Sequence, residues 1–210
     1  MTLFFIAYDK NEENAIKEII NICTEYCYLI RMNQFKEKVK SVCNKLKKDK
    51  IKNAEISCMM TICKLEQPIH YYFIYNKAKI ACKNIKNYLT AVHFCKNILA
   101  LEKDVNFYLY YQLAGSEEVD FDKIKSEFVN YQNLGTNAHQ LPFNITENIK
   151  FARSNIDAIN FNLIREKNSI KCPMCSSSYL NNAVNSVCEN CKLSILGHEY
   201  LGLKLTSEFN

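Results

Sequence analysis

Two cysteine pairs near the end of the chain restrict its fold more than any other feature. Cys172 and Cys175 form one Cys-x-x-Cys motif, Cys188 and Cys191 form a second, and 12 residues separate them. Two thiolates spaced by two residues can bind one ion from a tight turn, and two such turns together complete a tetrahedral sulfur site. We therefore predict one structural zinc ion on these four cysteines, within a small β-rich, zinc-ribbon-like C-terminal element.

The same motif has two other interpretations. The four cysteines can be reduced thiols in a metal-free β element, or one pair can be a redox centre. A redox pair favours a helix start beside a βαβ unit, which the sequence lacks. Four thiolates leave no open coordination position, so the predicted zinc is structural and not catalytic. His198 lies close enough in sequence to replace one cysteine ligand.

The other cysteines are expected to be ordinary core residues. The total of 11 is odd, and most of the remaining ones stand alone in apolar helical patterns, which argues against a disulfide framework. A reduced cysteine packs as a small apolar side chain. This prediction covers positions 23, 27, 43, 58, 63, 82 and 95.

Positive charge is concentrated in one segment. Eight lysines and two acidic residues lie within 35–52, which gives +6 there against +5 for the whole chain. We interpret this lysine stripe as a solvated helix face, with a patch for RNA, anionic lipid or an acidic partner as the alternative. The apolar segment 1–9 lacks a basic start, and no apolar run reaches about 18 residues, so we expect a cytosolic protein without signal peptide or membrane span.

Apolar periodicity predicts a mainly helical first part, over residues 1–135. Spacings of three and four predict helices over 11–32, 35–50 and 52–65, then an antiparallel pair over 69–84 and 88–101 that resembles one tetratricopeptide unit. Asp120 is a candidate N-cap for a helix over 120–132. The predicted apolar face of the first helix consists of Ile16, Ile19, Ile20, Cys23, Cys27 and Ile30.

The pattern changes after Gly135, and we place a second, β-rich unit over 136–210. Loose alternation predicts short strands over 149–164, and a pair of strands over 192–196 and 200–205. The predicted fold is therefore mainly α: an antiparallel, tetratricopeptide-like helical stack or solenoid, followed by the zinc-binding β element.

Five segments, in order, resemble one known family. They are AIKEIINICTEY (15–26), QPIH (67–70), NYLTAVHFCKNIL (87–99), NAHQLPFN (137–144) and LGLKLTSEF (201–209). Their order is similar to that in the C-terminal domain of the alpha subunit of coatomer, the coat protein complex I of Golgi vesicles. One departure is that both Cys-x-x-Cys pairs are complete here, whereas members of this family often carry an irregular set.

The resemblance implies a structural protein that is not an enzyme. We expect a fragment of a longer subunit, lacking the preceding propellers and solenoid, that binds the coatomer epsilon subunit, a tetratricopeptide superhelix, and other coatomer subunits. The implied setting is Golgi-to-endoplasmic-reticulum and intra-Golgi transport, with peripheral association on the cytosolic side of Golgi vesicles. No small-molecule substrate and no nucleic acid are expected. Aromatic runs at 71–73 and 107–111 are candidate partner anchors or core residues.

Residue chemistry agrees with this expectation. The four glycines form no phosphate-binding loop, and no nucleophile, base and oxyanion site can be assembled, so no catalytic residue is proposed. Two alternatives remain. One is the C-terminal region of an intraflagellar-transport subunit with a similar propeller–solenoid–zinc plan. The other is a zinc-ribbon nucleic-acid-binding module that uses the 35–52 lysine stripe.

Overall fold

A computed structural model describes residues 9–42, 47–113, 119–141, 155–164 and 169–198. These residues contain six α-helices, then two short strands and a 3-10 helix. The helices are α1 Lys10–Val42, α2 Lys47–Met60, α3 Pro68–Asn84, α4 Tyr88–Leu101, α5 Val105–Leu113 and α6 Phe121–Leu134. The strands are β1 Ser169–Lys171 and β2 Ser178–Leu180, and the 3-10 helix is Asn181–Ala183.

The first helix is a single element of 33 residues. The predicted break between 32 and 35 is wrong, because that stretch contains no glycine or proline to interrupt the helix. The side chain of Asp9 accepts hydrogen bonds from the backbone N–H groups of Asn11 (2.7 Å) and Glu12 (2.9 Å), which caps the start.

The buried face of α1 differs from the predicted one. Tyr28, Met32 and Lys36, four residues apart, are buried, whereas Cys23 and Cys27 are exposed. The prediction was wrong because apolar spacing alone cannot identify the side to which the rest of the chain contributes a partner. Here residues 155–164, called the docking segment below, supply Phe161 against Tyr28.

The second helix is shifted relative to the predicted range 52–65. It begins at Lys47 and ends at Met60. The following turn is held by side chains of neighbouring helices: the Tyr71 hydroxyl accepts a hydrogen bond from the Leu65 N–H (2.8 Å). This bond gives the Leu65 N–H the partner that continuation of the helix would otherwise provide.

The antiparallel pair α3 and α4 confirms the predicted bounds almost to the residue. Pro68 is the first residue of α3, where its missing N–H costs nothing. The two helices pack closely through small residues that are buried in one hydrophobic cluster with Phe94, namely Ala78, Cys82, Ala91 and Cys95. Small side chains allow this approach because the distance between two helix axes depends on the size of the side chains between them.

Two further helices complete the described helical part. The first of them, α5, was not predicted from the sequence. The N-terminus of α6 confirms the predicted cap, because the Asp120 carboxylate accepts from the Lys123 N–H at 2.8 Å. Gly135 ends α6 in the left-handed region with φ 57°. Lys79 on α3, which is 4% exposed, forms an ion pair with Glu127 on α6.

The chain after α6 is fastened to the start of α4 by one buried amide. The Asn87 side chain donates to the His139 carbonyl (2.8 Å) and accepts from the His139 N–H (2.9 Å). The Tyr88 N–H also donates to the Thr136 carbonyl at 2.8 Å. The amide thus gives both backbone groups of His139 a partner, and the bond to Thr136 satisfies the Tyr88 N–H, which has no intrahelical partner at the start of α4.

Within the described residues, the β element consists of two short strands that lie outside the predicted strand positions. β1 and β2 are antiparallel, with Ile170 opposite Tyr179, and they flank the first cysteine pair. In place of strands over 155–164 and 192–196, the structure has turns with the isolated bridges Ile156–Leu163 and Val187–Ile195. Phe161 and Lys192 adopt left-handed φ values of 53° and 58°, which reverse the chain there. Residues 149–154 and 200–205 lie outside the described part.

Of the three hydrophobic clusters among the described residues, the two larger ones organise the fold. One joins side chains of α1, α2 and α3 with the docking segment and the cysteine-bearing element. The other fills the space among α3, α4, α5 and α6. Residues on both sides of the predicted boundary at 135/136 therefore belong to one hydrophobic cluster. The division into two units at that boundary stays a prediction. Among the described helices, none is long and apolar enough to cross a membrane.

Candidate metal centre

The two cysteine pairs adopt the same local backbone. In the first, the Ser176 N–H donates to the Cys172 carbonyl (2.9 Å), and in the second, the Lys192 N–H donates to the Cys188 carbonyl (2.9 Å). Ser176 and Lys192 both have left-handed φ values, 56° and 58°. Each pair is thus a tight turn, or knuckle, closed by one left-handed residue. Glycine favours this conformation, and its absence at both positions left no signal in the sequence.

These knuckles bring all four predicted sulfur atoms together. The Sγ atoms of Cys172, Cys175, Cys188 and Cys191 all lie within 4.8 Å of one another. Across the two knuckles, the sulfurs of Cys172 and Cys191 and those of Cys175 and Cys188 are both 3.6 Å apart. The first three cysteines are buried and the fourth is partly exposed. This cluster, called the cysteine cage below, can hold a metal ion.

Hydroxyl and amide groups surround the sulfurs. The Ser194 hydroxyl lies 2.9 Å from the sulfur of Cys172, and the Tyr179 hydroxyl lies 3.0 Å from that of Cys188. Tyr179 accepts from the Asn190 N–H at 3.2 Å, which leaves its own proton for the sulfur. Such donors stabilise negative charge on thiolates. Sequence spacing did not identify Tyr179 or Ser194, because both contacts depend on tertiary structure.

Mutual hydrogen bonding separates the acidities of the four thiols. A hydrogen bond with Cys172 lowers the pKa of Cys175, and another with Cys172 lowers the pKa of Cys188 to about 6. Hydrogen bonds with neighbouring sulfurs raise the pKa of Cys172 and that of Cys191. These shifts favour thiolate on Cys175 and Cys188, and thiolate is the form that binds metals.

The remaining candidate ligands and cysteines lie apart from the cage. His198, considered as a replacement ligand, bonds Asn185 instead, with its Nε2 2.9 Å from Oδ1. Of the cysteines expected in the core, positions 58, 63, 82 and 95 are buried as predicted. The prediction is wrong for Cys23 and Cys27, which are exposed on α1, and Cys43 lies outside the described residues.

The lysine stripe is used partly inside the molecule. Lys36 is buried, and Lys52 donates from α2 to the Phe161 carbonyl (3.2 Å) and to Asn162 Oδ1 (2.6 Å). Burial lowers the pKa of Lys52, although Glu55 opposes that effect. Lys38 and Lys50 are exposed. The solvated-face interpretation thus fails for Lys36 and Lys52.

Comparisons with a family model and with individual known proteins indicate the same family. Residues 1–209 match the family described as the C-terminus of the coatomer (COPI) alpha subunit. Coatomer subunit alpha of Dictyostelium discoideum is 27% identical over 206 residues, which are 97% of this chain and 15% of that protein. Coatomer subunit alpha-2 of Oryza sativa subsp. japonica is 25% identical over 203 residues, 96% of this chain and 14% of the relative. The chain therefore spans about one seventh of these relatives.

Proposed function

Because this chain belongs to the family formed by the C-terminus of the coatomer (COPI) alpha subunit, we propose that it is a structural binding module of a vesicle coat. It binds the coatomer epsilon subunit and, through it and other coatomer subunits, takes part in Golgi-to-endoplasmic-reticulum and intra-Golgi transport. It acts in the cytoplasm, peripherally on Golgi and vesicle membranes. The observation that carries this proposal is the family match along almost the whole chain. We also infer that its helices stack in the manner of tetratricopeptide repeats.

Exposed apolar residues of α5 are the part of the surface that we assign to the epsilon subunit. In the aromatic run 107–111, Phe107 is buried, whereas Tyr108 and Leu109 are 47% and 54% exposed. Tyrosine is enriched among the anchors of protein interfaces, and a partner gains by removing exposed apolar surface beside it from water. Val105 extends the same short helix with a third exposed apolar side chain.

Binding to the epsilon subunit is tested by mixing the two purified proteins and measuring affinity by calorimetry. We expect a saturable 1:1 complex, and the double variant Tyr108→Ser/Leu109→Ser to weaken it at least 10-fold, as for loss of interface anchors of about 2 kcal/mol. Leu89→Ser on α4 is the matched control, because Leu89 is 46% exposed on another helix. Absence of any complex contradicts the proposed function, and an equal effect of the control contradicts the assignment to α5.

We propose further that the cysteine cage binds one zinc ion. A tetrahedron with Zn–S bonds of about 2.3 Å has sulfur–sulfur edges of about 3.8 Å. The sulfur pairs Cys172–Cys191 and Cys175–Cys188 in the cage, both at 3.6 Å, already lie near that edge. Zinc suits four thiolates because it is a borderline-soft ion with no geometric preference of its own. Bound there, it would stabilise the fold and would leave no position for a substrate.

Metal analysis of the purified chain tests this assignment. We expect one zinc per chain, and its loss together with a lower melting temperature in Cys188→Ser/Cys191→Ser, since metal binding in such sites is folding free energy. Cys23→Ser/Cys27→Ser is a matched control, because it removes two cysteines that are exposed on α1. Full zinc content in the first variant, or zinc loss in the control, would contradict the assignment. A purified chain without bound metal would also contradict the assignment, and the thiol redox alternative would then remain.

One observation bears on the nucleic-acid alternative. Lys36 and Lys52 of the lysine stripe serve the interior and the docking segment, which leaves fewer lysines for phosphate contacts. A binder that tracks phosphates loses affinity steeply with salt. RNA binding with a steep salt dependence, in a chain that ignores the epsilon subunit, would replace our proposal.

A further inference from the structure

We propose that the metal in the cysteine cage holds α1 and α2 against the rest of the chain, so that metal binding and the docking of these two helices form one equilibrium. This inference rests on the zinc site proposed above. A zinc ribbon that folds independently would stabilise only itself. Here, a continuous set of contacts leads from the cage through β2 and the docking segment to both helices.

Arg31 of α1 contacts the docking segment and also a residue of the second knuckle. Its Nη2 donates to the carbonyl of Ala158 at 2.9 Å, and its guanidinium lies 5.8 Å from the centre of the Phe161 ring. The same Nη2 is 3.9 Å from a carboxylate oxygen of Glu189. Glu189 stands between the two cysteines of the second knuckle. A single α1 side chain therefore binds the docking segment and the cage.

Phe161 connects the docking segment to both helices. Its ring packs edge-on against Tyr28 (5.6 Å between ring centres) and Phe35 (5.4 Å), both on α1. Its carbonyl accepts a hydrogen bond from Lys52 of α2. Arg31 approaches the same ring, so one residue of the docking segment contacts four side chains from the two helices.

The docking segment is in turn attached to the cage through β2. The Ala158 N–H donates to the Ser178 carbonyl at 2.9 Å, and the Leu180 N–H donates to the Asp157 carboxylate at 3.4 Å. Between them, Tyr179 places its hydroxyl 3.0 Å from the sulfur of Cys188. Buried residues of the cage and of α1 and α2 also belong to one hydrophobic cluster.

The regular structure around the cage is too small to keep this arrangement unaided. Over residues 169–198, it consists of two strands and one 3-10 helix, each of three residues. An isolated two-stranded sheet is marginal in water, and a bound metal supplies the missing folding free energy in such elements. When the knuckles lose their order, the partners of Arg31 lose their positions. By linkage, weakening the Arg31 contacts lowers metal affinity, and the loss is at most the factor by which the metal favours docking.

Hydrogen–deuterium exchange of the full chain, with metal and after chelation, tests the proposal. We expect chelation to reduce protection at least 10-fold in residues 24–39 of α1, while α4 keeps its protection. Unchanged exchange in 24–39 after complete metal removal overturns the proposal but leaves the zinc assignment intact. A purified chain that never binds zinc overturns both, so the two failures are distinguishable.

A variant pair provides a second, independent measurement. Arg31→Met keeps the length and apolar stem of the side chain but removes its charge and hydrogen bonds. We expect its zinc affinity, measured by competition with a coloured chelator, to fall about 5- to 10-fold. Lys17→Met is the control, because Lys17 lies on α1 and pairs only with Glu13 one turn away among the ion pairs described. Equal affinities of Arg31→Met and the unmodified chain contradict the coupling.

Discussion

Replacing Phe161 tests how the docking segment is held in place. Its side chain is 1% exposed and packs against the Tyr28 and Phe35 rings of α1. Removing a fully buried phenylalanine side chain costs about 3–5 kcal/mol, from lost burial and the cavity left behind. We therefore expect Phe161→Ala to lower the free energy of unfolding by about that amount. Urea denaturation followed by circular dichroism, with zinc present, measures it.

The backbone of Phe161 allows a sharper comparison with glycine. Its φ of 53° lies in the left-handed region, which costs a residue with a Cβ about 1–2 kcal/mol. Glycine escapes that strain but loses about 1 kcal/mol through its greater freedom in the unfolded chain. The two effects oppose each other, so Phe161→Gly should be as stable as Phe161→Ala or more stable by up to about 1 kcal/mol. At a position with negative φ, glycine would be worse by about 1 kcal/mol.

The exposed Phe73 of α3 provides the control. Its side chain is 46% exposed, so Phe73→Ala should change stability by about 0.5 kcal/mol or less. Two results would refute the reasoning. One is a loss below about 1 kcal/mol in Phe161→Ala, which would mean that the docking segment is not packed as described. The other is a glycine variant less stable than the alanine variant by about 1 kcal/mol or more, which would mean that the backbone is unstrained.

Three further predictions concern the cage, the thiols and a helix cap. Tyr179→Phe removes the hydroxyl beside Cys188 and should weaken zinc binding about 10-fold in chelator competition, whereas Tyr71→Phe should leave it unchanged. Burial raises the pKa of Cys95 to about 11, so its thiolate forms only as pH approaches 11. Iodoacetamide at pH 8 followed by mass spectrometry should therefore modify the exposed Cys23 before Cys95; labelling of Cys95 as early as Cys23 would contradict its burial. Asp120→Ala should lose about 1 kcal/mol in urea denaturation and Asp120→Asn much less, because asparagine also caps helices.

Local chemistry explains what was predictable in the helical part. The bounds of α3 and α4 follow from Pro68, the short join at 85–87 and apolar spacing, all of which act within a few residues. The cap at Asp120 is equally local. In contrast, α5 was missed, and its residues divide between a buried Phe107 and an exposed Leu109 according to what the other helices cover.

The strands show where local pattern is insufficient. Alternation predicted strands in 155–164 and 192–196, but the chain there turns through left-handed residues that are not glycine. The strands in the described part of the chain, β1 and β2, are three residues each, too short for a period-2 pattern to be distinguished. Their pairing depends on the knuckle between them, which brings the two segments side by side.

The cage and the face of α1 mark the division between sequence and tertiary structure. Spacing alone determined which four cysteines converge, because two residues between thiols restrict each pair to one turn. Only the tertiary structure decided that Tyr28 and Met32 are buried while Cys23 and Cys27 remain exposed. A helix with several apolar stripes can bury any of them. The choice depends on a ring, Phe161, that lies more than 120 residues away in the chain.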